Sequence, residues 1–180
     1  MNILLASGSP RRKKLLGDLG YEITVAVPSF DEGQVRAEDP KQLVAALAEG
    51  KGRSVGAPQG VLLVAADTVV AFDSIILGKP TDAADAKKML QMLSGNTHQV
   101  YTGVYLRRDE KERVFTDCSL VTFRALSEQE IDAYVQSGAP MDKAGSYGIQ
   151  ETDFVAKIKG SFNNIVGFPT ELFQEIIKAF

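Results

Sequence analysis

Cysteine and histidine are almost missing: the chain has one of each, Cys118 and His98. A single cysteine excludes an internal disulfide framework and fits a reducing compartment. With one histidine beside it, a structural zinc site is not expected either. Cys118 reads as a core thiol, not a nucleophile. No Ser-His-Asp set can be assembled without leaning on His98 alone, and His98, at the start of a strand after Asn96-Thr97, reads as a satisfied structural residue. The pattern Gly-x-x-x-x-Gly-Lys-Ser/Thr is absent, so neither acyl transfer nor a Walker-type nucleotidase is indicated. Large net charge is lacking too. At −3 the chain has no general grip on nucleic-acid polymers, and any anion site must be a local cluster. No apolar run reaches membrane-spanning length, and the apolar N-terminus turns into a helix signal without a small-residue cleavage site. The expectation is a cytoplasmic protein with no membrane and no nucleic-acid partner.

What is present is an ordinary globular composition, 44% hydrophobic and 24% charged over 180 residues. That length, residues 1–180, suits one domain or two closely packed lobes. The apolar run at Leu4-Leu5-Ala6 reads as a buried strand. It breaks at Ser7-Gly8-Ser9, and Ser9 is a good N-cap for a helix that places Pro10 at its first position. Leu15, Leu16 and Leu19 give this helix an apolar face and Gly20 ends it. Tyr21, Ile23, Val25 and Val27 alternate as a half-buried strand, stopped by Pro28. Asp39-Pro40 starts a helix through Leu43 and Leu47 towards Lys51, ended by the Gly/Pro-rich segment from Gly52 to Gly60.

Val61 to Ala66 is a continuous apolar run, the mark of a strand covered on both faces. It delivers Asp67-Thr68 and continues through Phe72. A short strand at Ile75 to Leu77 precedes the turn Gly78-Lys79-Pro80, and Asp82 opens a helix closed by Ser94-Gly95. Strands from Gln99 to Arg107 and from Arg113 to Leu126 follow. Ser127-Glu128-Gln129-Glu130 is a capping box for a helix to Ser137-Gly138. Phe154 to Ile158 and Asn164 to Val166 read as short strands, and Thr170 caps a final amphipathic helix. Interleaving without strict βαβ regularity predicts an α/β fold with a mixed twisted sheet and flanking helices.

Three features carry chemistry. Arg11 and Arg12 occupy a first helical turn, where the dipole is already positive and an acid would be favoured. Cations beside free N–H groups suit a strongly negative ligand such as phosphate, while a solvated basic face from Arg11 to Lys14 fits equally well. Asp67 is a carboxylate in an apolar strand, costly unless paired or metal-bound, although a strand-end turn former also fits. Asp31-Glu32 can add hard oxygen ligands of the kind that suit Mg²⁺ or Mn²⁺, or be solvated loop acids. Lys51 and Lys79, taken singly, read as solvated lysines. Together the basic helix start, the isolated acid and the loop acids resemble metal-assisted phosphoryl or nucleotidyl chemistry.

Six motifs in order, Ser7-Gly-Ser-Pro-Arg-Arg12, Ala66-Asp-Thr-Val-Val70, Gly78-Lys-Pro80, Thr97 to Val104, Asp142 to Gln150 and Val166-Gly-Phe-Pro169, resemble the Maf-like nucleoside triphosphate pyrophosphatases. The resemblance implies an elongated two-lobed fold around a central cleft, similar to the inosine triphosphate pyrophosphatases, and often a homodimer. It implies hydrolysis of a nucleoside triphosphate to the monophosphate and pyrophosphate with a divalent metal. Asp67 matches the family's proton acceptor. Ser9, Arg12, Glu32, Lys51 and Lys79 match residues that bind phosphate or metal, with Glu32 and Asp67 as the metal pair. Arg11, Thr68 and Gln150 match positions tied to substrate choice. Thr68 and Gln150 favour the dTTP/UTP branch, because the 7-methyl-GTP branch carries Gln and Glu there. A non-catalytic nucleotide-binding regulator of septum formation is the reading from another class. The chain departs from the family after Gln150, where Glu151-Thr152-Asp153 replaces a glycine-rich insert.

Overall fold

One long strand organises the computed structural model, which describes residues 2–180. Leu62–Phe72 form β3, eleven residues long. On one side β3 pairs in parallel with β1, Asn2–Ala6, which pairs in parallel with the edge strand β2, Glu22–Ala26. On the other side it pairs antiparallel with β5, Thr97–Arg108, followed by β6, Lys111–Phe123, and β7, Val155–Lys159. The short β4, Ile75–Leu77, returns antiparallel to the far end of β3. The seven-stranded sheet is therefore mixed, as the irregular alternation of elements predicted.

Register explains where the sheet opens. β1 covers Leu62 to Ala65, and β4 covers Val70 to Phe72. Between them, among the described residues, no strand pairs with the Ala66 to Val69 edge of β3 on that side. This gap is the structural origin of the cleft described below.

Both faces of β3 are buried, as its unbroken apolar run required. Leu62, Val64 and Ala66 pack with Ile3, Leu5, Leu16, Phe168 and Phe173, under α1, Pro10–Asp18, and α6, Thr170–Ile177. Leu63 and Ala65 pack with Ala48 of α2, Pro40–Arg53, and with Tyr105 of β5. A further core gathers round the far ends of β3 and β5. There Val70, Val100 and Phe123 meet Leu90 and Leu93 of α3, Ala83–Leu93, and Ile131 of α4, Glu128–Gln136. Each fully buried Leu or Phe contributes roughly 1.5–3 kcal/mol of transfer free energy.

α2 presses unusually close to the sheet. A Cβ on Gly103 would lie 2.2 Å from the Val44 carbonyl oxygen, and one on Gly52 would lie 2.1 Å from the Tyr105 ring. Glycines serve close approach here and do not break the helix. The consequence is that Lys51 sits inside the last turn of α2, where a cation suits the helix dipole, and not beyond its end as the sequence suggested.

Four of the expected caps are present. Ser9, Asp39 and Asp82 each accept a bond from a first-turn N–H, and Ser127 with Glu130 forms the capping box. Four expectations fail. Asn164 to Val166 lie not in a strand but in the short helix α5, Phe162–Val166, which the Ser161 side chain caps. Thr170 is the first residue of α6 and caps nothing; its hydroxyl accepts instead from Asn163 Nδ2 at 2.7 Å. Cys118 is exposed, because the strand alternation that buries Ser119, Val121 and Phe123 turns it to the other face of β6. Val25 and Val27 are 41% and 78% exposed, so the apolar alternation of the edge strand is covered only at Tyr21 and Ile23. His98 is buried as a structural residue, with Nε2 at 2.7 Å from the Tyr147 hydroxyl. Its Nδ1 has no partner among the described residues. Burial lowers its pKa to about 4, so it is neutral at physiological pH.

Candidate active site

The cleft of about 810 Å³ at the β3 gap is lined by all nine residues nominated from the sequence: Ser9, Arg11, Arg12, Glu32, Lys51, Asp67, Thr68, Lys79 and Gln150. Their arrival there has separate local causes. β1 ends at Ala6, so Ser7-Gly8-Ser9 turns away from the sheet and aims the N-terminus of α1 into the opening. Alternation along β3 sends Asp67 to the α2 face and Thr68 to the opposite one. Lys51 lies one helical turn beyond Leu47, on the buried stripe of α2, and so reaches Asp67.

The acids and Lys51 form a compact unit. Lys51 Nζ contacts Asp67 Oδ1 directly and lies 2.9 Å from Glu32 Oε1. Asp67 is 8% exposed, and its negative charge is matched by the lysine. The neighbouring acid, Asp31, has a different job. It caps the 3-10 turn Glu32–Gln34 by accepting from Gly33 N, and its other oxygen accepts from Gln34.

Arg12 is held by neutral groups. Its Nε donates to the Gly167 carbonyl at 2.9 Å, Nη1 to Ser7 Oγ at 3.3 Å, and Nη2 to Thr68 Oγ1 at 3.1 Å. A guanidinium has five N–H donors, so two remain for a ligand. Burial draws its pKa below the ordinary arginine value, opposed by the charge of Asp67. Thr102 donates to the Asn164 carbonyl, which leaves Thr68 to donate to Thr102 and to accept from Arg12. Thr68 thus orients Arg12 as well as lining the cleft.

Five cations and four acids line the cavity. Arg11 pairs with Asp142 at 3.1 Å, Lys143 with Asp142 and Glu151, and Lys51 with Glu32 and Asp67. Lys79 is exposed and has no partner among the described residues. The positive charge without a matching acid is therefore concentrated at Arg12 and Lys79. That pattern suits a multiply charged anion laid between them, beside Asp67.

The Lys79 turn is set by the segment from Asp142 onward. Gly145 N donates to the Gly78 carbonyl at 3.1 Å. Gly145 has φ +69, and a Cβ there would lie 2.8 Å from Val70, so only glycine fits the contact. Gln150 is exposed at the cavity rim with its amide free of protein partners among the described residues.

Asp142, Lys143, Glu151 and Gly167 belong to the site and were not nominated. Asp142-Lys143 are adjacent opposite charges whose pairing and burial appear only in the fold. Gly167 acts through a carbonyl, which side-chain chemistry cannot signal.

The description "Maf-like protein" matches residues 2–180. The chain belongs to the Maf-like family. Relatives of this Maf-like chain include the dTTP/UTP pyrophosphatase of Bacillus cytotoxicus, 46% identical over 180 residues that cover 98% of this chain and 94% of the relative. The dTTP/UTP pyrophosphatase of Vibrio cholerae is 44% identical over 183 residues, covering 99% and 97%. Among solved structures, a HAM1 protein from Coxiella burnetii covers all of both chains with a TM-score of 0.51 at 16% identity. That last likeness speaks to the fold. The Maf-like motifs named above converge on the one cleft.

Proposed function

We propose that this chain hydrolyses dTTP and UTP to the nucleoside monophosphate and pyrophosphate in the cytoplasm. The observation that carries the reading is charge placement. Unmatched cations at Arg12 and Lys79 flank a buried, lysine-held carboxylate at Asp67. The activity for which the relatives are named agrees with that arrangement.

In this reading the free N–H groups of Arg12 and the first turn of α1 hold the triphosphate. Asp67 takes the proton from the water that attacks the α-phosphorus. Lys51 fixes the Asp67 carboxylate in place, and Lys79 stabilises charge as it develops on the departing pyrophosphate. The exposed Gln150 amide offers both an acceptor and donors to the edge of uracil or thymine, which presents one N–H between two carbonyls.

A divalent cation fits the donor set. Glu32 and Asp67 already converge on one positive group, the Lys51 ammonium, and both supply hard oxygen. The described residues contain no group of three or more candidate ligand side chains. Two carboxylates completed by phosphate oxygens and water is the way Mg²⁺ is usually held. When bound, Mg²⁺ or Mn²⁺ would neutralise phosphate charge and acidify water.

The test is pyrophosphate and monophosphate release from a panel of triphosphates. The expected result is dTTP and UTP turned over at least about tenfold more efficiently than GTP or 7-methyl-GTP. A chelator should abolish turnover, and added Mg²⁺ or Mn²⁺ should restore it. Nucleotide binding without turnover would make the protein a binding regulator. A preference for 7-methyl-GTP would move it to the other branch.

A further inference from the structure

Lys143 is a buried cation in the wall of the cleft that no part of the reaction above uses. Its side chain is 8% exposed. The ammonium donates to the Ala139 carbonyl at 2.6 Å and to Asp142 Oδ1 at 2.7 Å, and it forms an ion pair with Glu151 Oε2 at 3.3 Å. Lys143 is therefore unlike Lys79, which is exposed and uncommitted.

The partners of Lys143 connect it to Arg11 and to the turn that carries Gln150. The second oxygen of Asp142, Oδ2, accepts from Arg11 Nη1 at 3.1 Å, on the first turn of α1. Glu151 follows Gln150 in the chain and closes a turn whose N–H donates to the Gly148 carbonyl at 3.0 Å. Ile149 and Gln150 are the two central residues of that turn, so the direction of the Gln150 amide depends on where Glu151 is held. Glu151 Oε2 also accepts from the Tyr134 hydroxyl at 3.3 Å, and that hydroxyl accepts from Gly148 N at 3.1 Å. The lysine stem itself packs on the turn, since a Cβ on Gly148 would lie 2.9 Å from Lys143 Cε. The charges alternate in sign from Arg11 through Asp142 and Lys143 to Glu151.

We propose that Lys143 is a positioning residue that, through Asp142 and Glu151, sets Arg11 and Gln150 at a fixed separation and so determines which pyrimidine edge is read. The inference rests on the dTTP/UTP reading and adds a specificity-determining network to it. Glu151 stands where the family resemblance breaks, so this clamp belongs to this chain's own version of the loop.

UTP and CTP differ only at the edge that Gln150 would face, and their ratio of kcat/KM isolates base reading from phosphate binding. Glu151→Ala and Lys143→Met should each raise KM for UTP about tenfold, with the loss carried mainly by KM. The UTP-over-CTP ratio should fall by a similar factor. Glu151→Gln keeps an acceptor for Lys143 and should recover most of the lost selectivity. Should Lys143→Met fail to fold, Glu151→Ala decides, because that carboxylate is half exposed. Equal losses for UTP and CTP, or no change in either, would overturn the proposal. Wild-type protein that leaves UTP intact would instead overturn the functional reading on which it rests.

Discussion

Asp67→Asn should reduce kcat for UTP by about two orders of magnitude or more while nucleotide binding persists. The substitution keeps the shape of the side chain and removes the proton acceptor. It also removes a charge that the structure has taken care to match. Asp67 is buried at 8% exposure, and its partner Lys51 is shared with Glu32. In the variant Lys51 keeps Glu32 as a counter-charge and gains the carbonyl oxygen of the new side-chain amide as an acceptor, so the α2 contact survives. Activity should therefore fall much further than stability. The check is kcat from pyrophosphate release, set beside calorimetric titration with UTP and a thermal melt. Turnover within about threefold of wild type would remove Asp67 from the chemistry.

Arg12→Lys should lower kcat/KM by roughly 30-fold to 100-fold although charge is conserved. The guanidinium holds three acceptors from three parts of the fold: the Gly167 carbonyl after α5, Ser7 Oγ after β1, and Thr68 Oγ1 in β3. A planar fork can do this and still offer two N–H groups to phosphate. A lysine has three donors on a flexible stem and must abandon either the protein contacts or the ligand. Losing one or two partly buried hydrogen bonds, each worth about 1 kcal/mol, should also lower Tm by roughly 2–6 °C. A purely electrostatic role would survive the change, as would a solvated basic face. Unchanged kcat/KM across a salt series would favour either of those over a shaped phosphate grip.

Much of this arrangement was legible in the chain. The apolar run ending at Asp67 announced a strand covered on both faces, and Ser9-Pro10 announced a helix start that would point its N-terminus outward. Each is a local signal, read from neighbours in sequence. What stayed hidden depended on distant packing. The segment from Gly52 looks like the end of a helix, yet Tyr105 lies against Gly52, which leaves no room for a side chain there, and the helix runs on to Arg53. Ile165 and Val166 look like strand residues, but the Ser161 cap and the short distance to the Gly167 turn make them helical.

The candidate site shows the same division. Lys51, Lys79 and Glu32, read singly, were as well explained by solvent. Only the gap between β1 and β4 along β3 brings them to one cavity. The Lys143 network was not legible, because its partners lie 131 residues apart between Arg11 and Asp142. Adjacent opposite charges carry no sign that they are buried.

The central claim is that water attacks the α-phosphorus of UTP in the cleft beside Asp67. The most direct measurement is a turnover in water labelled with heavy oxygen, followed by mass spectrometry of both products. One labelled oxygen should appear in the phosphate of UMP and none in pyrophosphate. Label in pyrophosphate would place the attack on the β-phosphorus, and label in inorganic phosphate beside UDP would place it on the γ-phosphorus. Either result would contradict the account.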